Sequence, residues 1–137
     1  MIQQTLCTSF KAELLQGVHN FTTDVFRLAL YTDAANLGAD TTVWTSTGEV
    51  TGGGYTAGGR LVTGATVSTS GTTAFVDFNN VTWPTGGFTA RGALLYNASK
   101  ANRAVAVLDF GADKSASSPF VVTMPAATAT AALIRIE

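Results

Sequence analysis

The sequence predicts an all-β, mainly antiparallel domain, either a β-sandwich or a jelly-roll-like barrel of about seven or eight strands with one short N-terminal helix. Short alternating apolar and polar segments recur roughly every 8–12 residues, with turn residues between them. The chain holds 14 glycines and many threonines, which favour turns and pleated strands respectively. Its 137 residues contain no linker-like stretch, so a single domain over 1–137 is predicted.

One helix is predicted near the N-terminus, from Ser9 to Gly17. Serine is a preferred N-cap residue, and glycine suits the left-handed position that ends a helix. Phe10 and Leu14 form an i, i+4 apolar stripe, and they should pin this short helix across a sheet or an open end of the sandwich because two turns are unstable alone. Residues 1–8 are predicted to form an extended N-terminal arm.

Eight strands follow from the alternation pattern, and they are predicted at residues 25–32, 43–47, 61–69, 73–83, 88–96, 103–110, 119–124 and 131–136. The tight Ser70-Gly71 connection predicts one hairpin, and the polar turn at 97–102 predicts a second. Residues 111–119 are predicted to be a loop. The residues expected in the core are Phe26, Leu28, Leu30, Phe78, Leu94, Val105, Val107, Phe110 and Ile134.

The charge content restricts the class of partner. Charged residues make up 12% of the chain and hydrophobic residues 46%, a balance opposite to that of disordered proteins. The net charge of −1, with lysines and arginines dispersed, indicates neither nucleic-acid nor membrane binding. A charge-poor surface rich in threonine, alanine and glycine favours contact with other protein surfaces.

The cellular context is also constrained by the sequence. Cys7 is the single cysteine, so no intramolecular disulfide is expected. The N-terminal residues lack a basic segment followed by an apolar one, so no signal peptide is predicted. No apolar run approaches the length of a membrane span. We therefore expect synthesis in a cytoplasm.

Catalytic and metal-binding patterns are not evident, so the chain is predicted not to be an enzyme, with no catalytic, cofactor or metal residue. His19 is the only histidine, and its place at a helix-to-strand corner is typical of a surface or capping residue. One cysteine and one histidine make a zinc site dependent on carboxylates, and the scattered aspartates form no calcium loop. Paired carboxylates for glycoside hydrolysis would have to come from distant strands.

A glycine-dense segment matches two nucleotide-binding patterns as a string only. Gly52-x-Gly54-x-x-Ala57 fits the dinucleotide fingerprint, but a β-like segment follows it where the mechanism requires a helix N-terminus. In the phosphate-loop pattern, Gly59-Arg60 stands in place of Lys-Ser/Thr. The segment is therefore predicted to be a flexible or sharply turned loop that carries Tyr55.

Aromatic residues are the remaining candidates for an interface. Trp44, Tyr55 and Trp83 lie at predicted strand ends or in loops, where aromatic side chains can stack on sugars, anchor a protein interface or plug the sandwich. Trp83, before Pro84, is expected in the core. Tyr55 fits either alternative. Tyr55, Trp44 and Phe10 are taken as the candidate interface or ligand contacts.

Five segments together carry a resemblance, and they read FKAELLQGVH (10–19), LALYT (28–32), GYTAGG (54–59), ARGALLYN (90–97) and NRAVAVLDFG (102–111). In the order and the amino-acid sequence of these segments, the chain resembles small virion-associated proteins of tailed bacteriophages, over roughly residues 10–136. The resemblance implies a component of the virus particle, and it implies no catalytic residue.

Two functional alternatives follow from that resemblance, and a third belongs to another class of protein. The first is a capsid decoration or cement protein that stabilises the head, binds the major capsid protein or other virion proteins, and forms a homo-oligomer, with a trimer favoured. Its arm at residues 1–8 could add a strand to a neighbouring sheet. The second is a tail, baseplate or fibre-associated module that binds host glycans. The third is a small β-sandwich hydrolase.

Overall fold

The computed structural model describes all 137 residues, with 42% of them in strands and one short helix. In chain order the elements are β1 (Thr5–Leu6), α1 (Thr8–Leu15), β2 (Phe26–Tyr31), β3 (Arg60–Val62), β4 (Thr66–Ser70), β5 (Thr73–Asp77), β6 (Val81–Trp83), β7 (Phe88–Asn97), β8 (Arg103–Ala116), β9 (Phe120–Val122) and β10 (Ile134–Ile136). They form a five-stranded sheet in the order β1-β8-β7-β2-β3, a three-stranded sheet β10-β5-β4 and a two-stranded sheet β6-β9.

The predicted class of fold is confirmed, because every strand pair is antiparallel and the architecture is sandwich-like. The strands number ten, above the seven or eight predicted: two predicted strands are each divided, β1 forms in the N-terminal arm, and the strand predicted at 43–47 is absent. Gly64, with a left-handed φ of 72°, separates β3 from β4. Residues 78–80 separate β5 from β6. The divided strands therefore join different sheets.

The β7–β8 hairpin forms the centre of the five-stranded sheet. Its polar turn lies where the sequence predicts it, but β8 continues to Ala116, so the predicted loop at 111–119 is wrong over 111–116. Phe88 pairs with Ala116 in the ladder. Most of residues 111–116 are exposed, so no apolar alternation marks this part of the strand.

The core extends through the five-stranded sheet and across to the two smaller sheets. A single cluster of 33 buried residues includes eight of the nine predicted core positions. Phe110 is the exception, because it is only partly buried and packs against the edge of the cluster. Within β2, residues 28–31 are all buried, so both faces of this central strand are covered.

Helix α1 begins one residue earlier than predicted and packs against β8. Cys7 takes the N-cap position without a side-chain hydrogen bond, and Ser9 lies inside the first turn. Gly17 has a φ of 74°, as expected for the residue that follows the helix. Phe10 is buried and fixes the helix, whereas Leu15 is 89% exposed.

Two predictions about extended segments need correction. The N-terminal arm is extended, but it pairs with the chain's own sheet, with Thr5 opposite Val107 and Ile2 bridged to Leu37. Residues 43–47 form no strand, because only an isolated bridge joins Val43 to β8 before the chain turns away. The alternation of residues within each segment does not encode whether the segment pairs with a sheet, or with which edge.

Candidate functional site

The glycine loop, residues 52–59, is held on the five-stranded sheet by a buried acid. Glu49 accepts a hydrogen bond from the Tyr55 hydroxyl, and its Oε2 also accepts the Gly58 N–H at 2.8 Å. The Tyr55 oxygen in turn accepts the backbone N–H of Leu30 in β2 at 3.0 Å. Because Glu49 and Tyr55 are both buried, these bonds fix the loop against the strand.

The glycines of this loop permit close approach to the protein's own backbone. A Cβ atom at Gly59 would overlap the carbonyl of Leu28, and one at Gly54 would overlap the carbonyl of Thr85. The amides of Gly54 and Gly59 donate to carbonyls within the chain, and the element that follows is β3. The loop therefore lacks the helix N-terminus that the dinucleotide and phosphate-loop patterns require.

A second tyrosine and Trp44 extend the network around Glu49. The Tyr31 hydroxyl donates to the carbonyl of Thr45 at 2.6 Å, and the indole N–H of Trp44 lies 3.4 Å from Glu49 Oε2. Burial raises the pKa of Tyr55 and Tyr31 above the ordinary value for tyrosine. Both hydroxyls are therefore neutral hydrogen-bond donors at physiological pH.

The three candidate contact residues have different environments. Tyr55 is 8% exposed and Phe10 is 1% exposed, so neither side chain presents an aromatic surface to a partner. The prediction that these two residues are interface or ligand contacts is therefore corrected. Both fill the interior because they pack on other aromatic rings, Tyr55 on Trp83 and Phe10 on Phe21. Trp44 is half-buried and keeps some accessible surface. Trp83 is in the core, as expected.

His19 is buried, in contrast with the predicted surface position. Its Nε2 lies 2.9 Å from Glu13 Oε1, and its Nδ1 lies 3.0 Å from the Asn97 amide nitrogen. Desolvation raises the pKa of Glu13, but hydrogen bonds from His19 and Arg103 outweigh it and hold the pKa below its usual value. Both ring nitrogens are occupied, so this group ties α1 to the β7–β8 hairpin.

The other reactive side-chain types are also engaged in the fold. Burial, with smaller contributions from Asp40 and Glu13, raises the pKa of the Cys7 thiol to about 11, so the nucleophilic thiolate is scarce at neutral pH. Asp24 is paired with Lys100 at 2.7 Å. No group of three or more histidine, cysteine, aspartate or glutamate side chains is placed to hold a metal ion.

An apolar groove opens between α1, the segment that follows it and the three-stranded sheet. Its volume is about 430 Å³, and eight of its eleven lining residues are hydrophobic, among them Leu14, Phe21, Val67, Phe75, Ile134 and Ile136. No lysine, arginine, aspartate or glutamate lines it. Val67 and Ile136 are 50% and 55% exposed, so apolar surface remains in contact with solvent here. We call this feature the apolar groove.

The apolar groove was not predicted, because its residues come from distant parts of the sequence. The signal available was weak, because Val67 is an isolated apolar residue in a polar strand. Glu49 was also missed. An acid beside Gly48 has the appearance of a solvated turn residue, and only the fold shows that it is buried.

The fold and these features define the class of the protein as an all-β, sandwich-like domain with an accessible apolar groove. Comparison with models of protein families, with curated proteins and with solved structures gives no significant match. None of the helical structure combines the length and the apolar character needed to cross a membrane.

Proposed function

We propose that this chain is a structural protein of a bacteriophage virion and, within the virion, a capsid decoration protein that binds the major capsid protein. The apolar groove is the observation that carries the proposal. An open groove without lysine, arginine, aspartate or glutamate in its lining suits an apolar segment of a neighbouring subunit, because burying such a surface releases ordered water.

The charge distribution supports the same proposal. Only 12% of the residues are charged, and several charges are neutralised within the chain by ion pairs such as Lys100–Asp24 and Arg103–Glu13. Interface centres are depleted in charged residues and retain apolar ones. The resemblance of the five sequence segments to virion-associated proteins of tailed phages supports a virion as the assembly to which the chain belongs.

The location in the particle is tested by counting copies. Quantitative mass spectrometry of purified virions should find this chain in an amount comparable with that of the major capsid protein. Particles that lack it should lose their genome at a lower temperature than complete particles. A few copies per virion would contradict the decoration role and favour a tail position, and absence from the virion would contradict the whole proposal.

The role of the apolar groove is tested with a matched pair of variants. Val67→Thr places a hydroxyl in the groove, and Val43→Thr makes the same change at a similarly exposed position, 47% against 50%, outside it. We expect Val67→Thr to bind capsids that lack the protein about tenfold more weakly, equal to about 1.4 kcal/mol. Val43→Thr should bind as the wild type does. Equal binding by both variants would contradict the proposal that the apolar groove contacts the capsid.

The oligomeric state is a separate part of the proposal. We propose a homo-oligomer on the capsid, and the trimer is the state to test. Native mass spectrometry of the purified protein, alone and after release from particles, measures it directly. Monomers in both samples would contradict the proposed homo-oligomer. The capsid location would still be tested separately, by the copy number per virion.

A further inference from the structure

The three-stranded sheet ends in an open edge. Its outermost strand is β4, which pairs on one side with β5 and has no neighbour on the other. No backbone group of residues 66–70 forms a hydrogen bond outside the β4–β5 ladder. In an antiparallel ladder, alternate residues of an edge strand direct their N–H and C=O groups away from the sheet. The outer side of β4 therefore offers unpaired backbone donors and acceptors.

The turn between β4 and β5 determines which residues these are. Ser70 and Thr73 flank a two-residue turn and form the last pair of the ladder. The flanking residues of such a hairpin bond to each other, so Ser68 and Ser70 direct their backbone groups towards β5. Val67 and Thr69 alternate with them and direct theirs outward.

The other strand edges of the chain are shorter or carry charge. β1 has two residues, and β3, β6, β9 and β10 have three each. The part of β8 beyond its pairing with β1 is longer, but it contains Asp113 and Lys114. Short length and charged side chains protect an edge from pairing with another chain. β4 has five residues, none of them charged and none proline, so it lacks both kinds of protection.

The side chains of β4 also continue an apolar face of the sheet. The register places Val67 beside Val76 of β5, which lies beside Ile134 of β10. Val76 and Ile134 are buried, whereas Val67 is 50% exposed. The apolar row therefore runs outward from β10 and ends at β4 in contact with solvent.

We propose that β4 pairs antiparallel with β4 of a second copy of this chain, about a two-fold axis at Ser68. In this register each Ser68 lies opposite its equivalent, Val67 lies opposite Thr69 of the second copy, and Thr66 lies opposite Ser70. The residues with outward backbone groups, 67 and 69, then form the hydrogen-bonded pairs. The three-stranded sheets of the two copies become one continuous sheet, which provides a contact for the proposed homo-oligomer.

The sequence of β4 suits a partner identical to itself. No like charges meet, because β4 is uncharged and Asp77, the acid on β5 beside Thr66, lies at the end of the strand furthest from its equivalent across the axis. Val67 meets Thr69 and then Ala74 of the second copy, so the apolar row continues across the axis. Pairs of β-branched residues on neighbouring strands stabilise a sheet.

The test is the association of the purified chain, measured by sedimentation velocity and native mass spectrometry over a range of concentrations. We expect a monomer–dimer equilibrium. Ser68→Lys and Ser68→Glu each place two like charges opposite each other at the axis, so each variant alone should dimerise about tenfold or more weakly than the wild type. Thermal melts check that the variants are folded.

Mixing the two variants distinguishes this register from any other contact. Ser68→Lys with Ser68→Glu places opposite charges across the axis, so the mixture should form dimers more tightly than either variant alone. Labelling one variant with ¹⁵N lets native mass spectrometry separate the mixed dimer by mass. Ser115→Lys and Ser115→Glu make the same changes at an exposed position of β8, and they should dimerise as the wild type does.

Several results would overturn the pairing of β4 with its equivalent. They are a wild-type chain that stays monomeric at every concentration, dimers that the Ser68 variants do not weaken, and a mixture that forms no tighter dimer. A trimer would also overturn it, because a two-fold contact joins two copies, yet the proposed homo-oligomer would stand. Monomers whose binding to capsids is lost in Ser68→Lys would assign the edge to an extended segment of another virion protein. The location in the virion is decided separately, by the copy number.

Discussion

The five-stranded and three-stranded sheets use their side chains in different ways. In the five-stranded sheet, residues 28–31 of β2 and 104–108 of β8 are buried without interruption, so both faces are covered. In the three-stranded sheet, most residues of β4 and β10 are exposed. The larger sheet therefore contributes long runs of buried side chains, and the smaller one leaves apolar side chains accessible to solvent.

Because of this difference, we expect the same substitution to have different effects in the two sheets. Removing a methyl group from a strand covered on both faces leaves a cavity that its neighbours fill only in part. Removing the same group from a half-exposed position changes mainly the surface offered to another molecule. Substitutions in the two sheets should therefore change different measured quantities.

The largest expected effect comes from the same substitution made in both sheets. Val105→Ala, fully buried in β8, should lower the free energy of unfolding by about 2–3 kcal/mol, from lost burial and the cavity it leaves. Val67→Ala, half-exposed in β4, should change it by less than about 0.5 kcal/mol. Urea unfolding followed by circular dichroism measures both. Similar losses would show that the two sheets contribute equally to stability.

An intermediate effect is expected where the glycine loop meets the five-stranded sheet. Tyr55→Phe deprives both Glu49 and the Leu30 N–H of a hydrogen-bond partner, so we expect a loss of about 2 kcal/mol. Tyr31→Phe removes one bond, to a carbonyl, and should cost about 1 kcal/mol. Thermal and urea unfolding rank the two variants. The reverse order would contradict the anchoring role given to Glu49.

The smallest effect is a pH dependence at the edge of the larger sheet. Desolvation raises the pKa of Asp24, but hydrogen bonds from Lys100 and Asn97 and the Asn20 amide outweigh it and lower the pKa to about 2. A carboxyl whose pKa is lowered by folding stabilises the native state above its unfolded pKa, near 4, and this stabilisation is lost as the pH falls towards 2.

The loss should be about 1 kcal/mol, since Lys100 is partly exposed and solvent screens the pair. Urea unfolding at pH 6 and at pH 2.5 measures it in the wild type and in Asp24→Asn. The variant should be less stable at pH 6, and its pH dependence should be smaller. An unchanged pH dependence in Asp24→Asn would assign the effect to other carboxyl groups.

Local signals account for the parts of the fold that the sequence predicts. Gly71, with a φ of 58°, forms the predicted hairpin turn between β4 and β5, and the alternating residues of β2 and β7 form strands at the predicted places. Residues 111–116 have no such signal. They become a strand because Phe88 and its neighbours supply a pairing edge, a long-range interaction that local alternation does not encode.

The apolar groove was beyond prediction for a related reason. Leu14, Val67 and Ile136 converge from the helix and two separate strands. No local pattern connects positions that are so far apart in the sequence.

The position of β1 has a consequence for how copies of the chain can meet. By pairing with Val107 and Ala106, the first strand occupies the edge of β8 that would otherwise offer unpaired amides and carbonyls. Such an edge invites end-to-end growth into fibres. With this stretch of backbone already covered, a strand of another copy cannot pair with β8 at these two positions.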